Sequence, residues 1–168
     1  MKLFFPLIEL TIAFISLILA YVIQYTKLFT QFLNAFLALG ILLIFVGLVT
    51  LHCLLKKRKF YNYCKSLNDT CRFRHFLRQQ KYINDFTSKV KEDANQNIYN
   101  SALHETYIDY FPDYMEVWIC IPNSATAKKM LDDNLKSAEQ ELGSYTDKYI
   151  ISSHTRKGSY YFYRGEKK

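Results

Sequence analysis

LFFPLIELTIAFISLILAYVI, residues 3–23, and FLNAFLALGILLIFVGLVTLHCLL, residues 32–55, decide how this chain is organised. Glu9 is the only charge in the first stretch, and the second has none besides a titratable His52. At a helical rise of 1.5 Å per residue they extend about 31 and 36 Å, enough to cross a hydrocarbon core of about 30 Å with some tilt. A cleaved signal peptide is the rival for the first stretch. Its n-region holds only Lys2, Ile18-Leu19-Ala20 is a poor cleavage site, and a second apolar stretch follows at once. Residues 1–55 therefore read as a helical hairpin of two transmembrane helices.

The formal charge of +7 is unevenly spread along the 168 residues. Residues 56–82 carry nine Lys or Arg against Asp69 alone, whereas residues 83–168 carry eleven basic and thirteen acidic side chains. A nucleic-acid domain would place its positive charge on the folded domain itself, while cations beside a hydrophobic span set topology and meet lipid. Lys56, Lys57, Arg58 and Lys59 follow the second span directly, and the connection from Gln24 to Gln31 holds Lys27 alone. By the positive-inside rule both termini are cytoplasmic and the chain is a multi-pass protein of the cell membrane. Arg72, Arg74, Arg78 and Lys81, interleaved with aromatics, extend the basic stretch. The pattern favours a helix on an anionic inner leaflet over direct nucleic-acid binding.

Four segments follow from this reading: the hairpin at 1–55, a basic juxtamembrane helical region at 56–93, a linker at 94–103 and a small α+β domain at 104–168. The second span should run on as a helix, with Asn68-Asp69-Thr70 breaking it and capping a second piece. Polar EDANQNIYNS at 92–101 supplies the linker. Glu105–Phe111 and Met115–Ile121 form a hairpin about Pro112-Asp113, with Met115, Val117, Ile119 and Ile121 on one face and Glu116, Trp118 and Cys120 on the other. Asn123 or Ser124 caps a helix that Gly143 ends, its stripe being Met130, Leu131, Leu135, Ala138 and Leu142. Tyr149–Thr155 and Ser159–Tyr163 make a second hairpin, giving ββαββ order. About 65 residues supply a thin core, so help from the preceding helix or from a second copy is expected.

Catalytic and cofactor motifs are not evident. Gly143–Lys148 lacks the second Gly and the hydroxyl of a phosphate loop, His104-Glu105 lacks a zincin's second His, and His154 has no orienting partner in the sequence pattern. Cys53, Cys64, Cys71 and Cys120 show no C-x-x-C pair, and Cys71 with His75 falls short of a metal site. The reading is of a protein that is not an enzyme and carries no cofactor. Within the spans, Glu9, Ala13, Ser16 and Ala20 share one helical face, as do Gly40, Leu43, Gly47 and Thr50. In an antiparallel hairpin Glu9 is level with Gly47 and Ser16 with Gly40, leaving the carboxyl within reach of Thr50 or His52.

Element order and loose motifs carry a family resemblance. Two close spans precede KKRKFYNY (56–63), RFRHFLRQQKYINDF (72–86) and YFPDYMEVWICIP (110–122), then a helix and a closing hairpin. The whole resembles the membrane-proximal N-terminal region of the FtsK/SpoIIIE-type DNA translocases, the coupling proteins of Gram-positive conjugative elements. These 168 residues contain no phosphate-binding loop of that family's motor ATPase domain, so no catalytic residue carries over. The resemblance implies an anchoring, assembly or regulatory component beside a DNA-transfer machine, with a membrane or ATPase protein as partner. A stand-alone membrane interaction protein, such as a bacteriocin immunity or secretion accessory factor, and a small-ligand sensor are the alternatives.

Overall fold

A computed structural model describes residues 3–27, 30–83, 94–145 and 148–168. The chain divides into two compact units at the Lys57–Arg58 bond. In the first unit, helices α1 (Phe5–Thr26) and α2 (Leu33–Lys56) are joined through a short 3-10 turn at Thr30–Phe32. Both are long and apolar enough to cross a membrane. Pro6 sits in the first turn of α1, where its missing N–H costs nothing, and Lys27 in the left-handed region (φ 54°) ends it. The pair is built with small residues inside and large apolar ones outside. Ala13, Ser16, Ala20, Gly40 and Gly47 are buried, while Phe14, Ile41 and Phe45 are each about two-thirds exposed (65%, 64% and 66%).

The second unit begins with α3 (Phe60–Ile83) and α4 (Ala94–Leu103). Strands β1 (Tyr107–Tyr110) and β2 (Tyr114–Cys120), helix α5 (Ala125–Tyr145), and strands β3 (Tyr149–Ile151), β4 (Thr155–Lys157) and β5 (Tyr160–Lys167) complete it. The sheet is antiparallel, in the order β1-β2-β5-β3, with β4 pairing further along β5. Alternation in β2 turns Met115, Val117 and Ile119 into one core with Ile108, Tyr110, Tyr161 and Tyr163 of the sheet and Ala127, Leu131, Leu135, Ala138 and Leu142 of α5. Gly165 sits opposite Met115 in the register, and a Cβ there would come within 2.5 Å of Met115 Cγ. The β4–β5 hairpin turns on Gly158-Ser159, with Gly158 at φ +60°.

Several local expectations fail, each for an identifiable reason. The strand order is ββαβββ rather than ββαββ. Ile151 pairs with Gly165 and Thr155 with Phe162, four residue steps against three, so a bulge at Ser152–His154 splits the expected strand in two. The second span does not continue into the basic helix, since α2 stops at Lys56 and α3 starts at Phe60. Asn68-Asp69-Thr70 does not break α3, because Asp69 and Thr70 serve the sheet instead of their own backbone and Asn68 bonds Asp69. Thr70 bonds Ile108, and Asp69 accepts from the Tyr110 hydroxyl at 2.9 Å. The expected linker at 94–103 is helical, held by Tyr99 and Leu103 at i, i+4, both buried in the core. Gly143 does not end α5, which runs two residues further and sets Tyr145 edge-on to Phe73 at 6.4 Å.

Candidate functional site

Helix α3 lies along β1 and satisfies its outer edge with side chains. Ser66 Oγ accepts from the Tyr110 N–H at 2.9 Å, and Thr70 Oγ1 accepts from the Ile108 N–H at 2.9 Å and donates to the Ile108 carbonyl. Arg74 Nε donates to the Thr106 carbonyl at 2.7 Å. Side chains four apart on a helix advance about 6 Å, and alternate residues of a strand about 6.7 Å, so one helix face can keep pace with one strand edge.

This arrangement redistributes the basic side chains. Arg58 is withdrawn from any lipid-contact role: its Nη2 lies 2.5 Å from Asp109 Oδ2, its guanidinium stands 4.9 Å over the Phe111 ring, and its side chain is 12% exposed. Arg74 is likewise half-buried against Thr106. Lys56, Lys57, Lys59, Arg72 and Arg78 are exposed, Arg72 standing 5.1 Å over the Tyr145 ring. The lipid contact expected of Lys81 falls on a side chain outside the described set. Burial pushes the Asp109 carboxyl up to about 6, Arg58 opposing and Glu116 adding to the shift.

In the first unit the facing small residues meet closely. A Cβ added to Gly40 would come within 2.8 Å of Leu17 Cδ2, and one added to Gly47 within 3.1 Å of Leu10. Ser16 Oγ donates to the Phe36 carbonyl at 2.9 Å, and Thr50 Oγ1 donates to Glu9 Oε2 at 2.7 Å. Glu9, Ser16 and Thr50 thus find partners across the helix pair. Ala13 and Ala20 are the buried small residues between them.

The sheet face turned away from α5 carries a second feature, which the alternation in β2 only half revealed. Trp118 stacks on Tyr107 at 6.2 Å and meets Phe162 at 4.6 Å and Tyr160 at 5.9 Å. Lys157 Nζ lies 3.4 Å from the Phe162 centroid, and Arg164 stands over Tyr114 at 4.7 Å. The register explains the cluster, since Trp118 pairs with both Tyr107 and Phe162 and so sits mid-row across three strands. At one end Glu105 accepts from Tyr160 and from Cys120 Sγ. Burial, reinforced by Glu105, pushes the Cys120 thiol up to about 11, which keeps it a protonated thiol at neutral pH. Among the described residues no three His, Cys, Asp or Glu side chains gather as a metal ion would require.

Comparison with protein-family models, with curated proteins and with solved structures finds no significant match.

Proposed function

We propose that the chain is a two-pass membrane protein without catalytic activity, whose α+β domain docks a partner protein on the outer face of its sheet. The observation that carries this reading is the row Tyr107–Trp118–Phe162, whose rings pack on one another rather than on a helix of the domain. Tyrosine, tryptophan and arginine are the residues that concentrate at protein interfaces. On this face Arg58 is matched by Asp109 and Arg164 faces Glu166, which leaves Lys157, lying over Phe162, as a single cation where a phosphate backbone calls for several. Membrane insertion is supported by the outward apolar side chains of α1 and α2, and a cytoplasmic domain by Lys56 and Lys57 at the end of α2. The resemblance to DNA-translocase membrane regions makes a DNA-transfer machine the setting, with a membrane or ATPase protein as the docked partner.

Site-specific photo-crosslinking tests this. A photoreactive residue at Tyr107, in the full chain expressed in its own membranes, should form a discrete protein adduct, and Trp118→Ala should abolish that adduct. Adducts to nucleic acid, or none beyond lipid, would reject the reading.

A further inference from the structure

Four lysines of the second unit converge on one cavity. Lys59, Lys65, Lys148 and Lys167, from the start of α3, the turn before β3 and the end of β5, line a cavity of about 430 Å³. That volume lies within the range of small-molecule sites. Among the described residues no carboxylate lines it. The remaining polar walls are Asn62, which offers amide hydrogens, and tyrosines, of which Tyr110 and Tyr149 already donate to Asp69 and to the Phe111 carbonyl.

The setting raises the potential further. Lys59 immediately precedes the first turn of a 24-residue helix, Tyr61 and Asn62 lie in that turn, and it carries no acidic side chain, so the positive end of the helix dipole is beside the cavity. Lys65 is not free to swing away, its Nζ standing 4.4 Å over the Tyr110 ring, while Tyr110 is itself tied to Asp69. Lys148 and Lys167 are fixed through the sheet margin, where the Lys168 N–H donates to the Lys148 carbonyl and the Lys167 N–H to the Asp113 carbonyl. Like charges held together repel, and such a cluster is stabilised when an anion occupies it.

We infer that this cavity is a binding site for a phosphate group, carried by a lipid headgroup or by a soluble phosphoester. Lysine ammonium groups with a helix N-terminus suit a phosphate, which offers several acceptor oxygens at once. The chain adds a constraint of its own: Lys59 is three residues beyond the last residue of α2, which tethers it within about 11 Å of that helix end. The lipid source rests on reading α2 as a span, whereas the soluble source does not.

Lysine acylation footprinting of the full chain tests the site and separates the sources. In neutral detergent, millimolar glycerol 3-phosphate should slow acylation of Lys65, Lys148 and Lys167 several-fold and leave Lys129 and Lys136 on α5 unchanged. In nanodiscs without soluble phosphate, the same protection in phosphatidylglycerol but not in phosphatidylcholine identifies the headgroup as the source. Protection by glycerol 3-phosphate alone identifies the soluble source. Lys148→Gln with Lys167→Gln should remove protection at Lys65 while the thermal melt is retained. Equal protection of all lysines, no protection in either arm, or protection unaffected by the double substitution would overturn the site. None of these outcomes depends on whether a protein docks on the aromatic face.

Discussion

Thr70 and Ile108 exchange two hydrogen bonds across 38 residues of sequence, the threonine hydroxyl accepting from the Ile108 N–H and donating to its carbonyl. A side chain here takes the place of a neighbouring strand. Thr70→Val keeps the shape but leaves both buried backbone groups unpaired, which should cost about 1–3 kcal/mol for each group left unsatisfied. Thr70→Ser should recover most of the loss. Denaturation of the full chain, followed by the fluorescence of the single Trp118, measures both; equal stability of Thr70→Val and the parent would contradict the pairing.

Packing of α1 on α2 gives an ordering of glycine substitutions. Gly40→Ala must displace Leu17, whose Cγ would lie 2.9 Å from the new methyl, whereas Gly47→Ala meets Leu10 at 3.1 Å. Helix association, read by disulfide cross-linking between the two helices, should therefore fall more for Gly40→Ala than for Gly47→Ala. The reverse order would show that the close approach lies elsewhere.

Glu9 and Thr50 predict an asymmetry. Glu9→Gln retains an acceptor for the Thr50 hydroxyl and should be mild, while Thr50→Val removes the donor that satisfies Glu9 Oε2 and should lower thermal stability in detergent further. A Glu9→Gln protein less stable than Thr50→Val would assign the carboxylate a role outside this pair.

Asp109 should give stability a pH dependence of defined sign. Burial raises its carboxyl from the ordinary 3.8 to about 6, so the folded state holds a proton there that the unfolded chain has lost. Its contribution is fully present below 3.8 and is lost as pH rises through about 6; at about 1.4 kcal/mol per pH unit over that interval, it is on the order of 3 kcal/mol. Asp109→Asn should flatten this part of the stability profile. An unchanged slope between these pH values would assign the dependence to another group.

Orientation is testable with an impermeant thiol reagent on chains whose four native cysteines are replaced. Thr26→Cys should label in intact cells and Ser159→Cys only after lysis, if Lys56 and Lys57 at the end of α2 set the orientation proposed above. Labelling of Ser159→Cys without lysis would reverse the proposed topology.

Elements with a strong period were readable from the residues alone. The apolar runs of α1 and α2, the alternation in β2 and the Leu131–Leu135–Leu142 stripe of α5 each state their own structure. Asn68-Asp69-Thr70 misleads because a polar side chain on a helix is read against its own backbone, while here Asp69 and Thr70 serve residues about 40 positions later. Arg58 and Arg74 mislead in the same way: charge counted along a line does not show that Asp109 and the Thr106 carbonyl lie beside them. Tyr99 in polar surroundings gives little local sign of burial. The Trp118–Phe162 contact depends on a strand register that links residues 44 positions apart, which no local pattern encodes.

The occupied margin of β1 also sets how copies of this domain can join. Sheets extend by strand addition only where backbone groups are free, and an endless ribbon needs two such margins on every subunit. Ser66, Thr70 and Arg74 occupy the β1 side, leaving the side formed by β3 and β4. With the β1 side closed among the described residues, strand addition between copies has at most the β3–β4 side to use, and a union through one side alone stops at a pair.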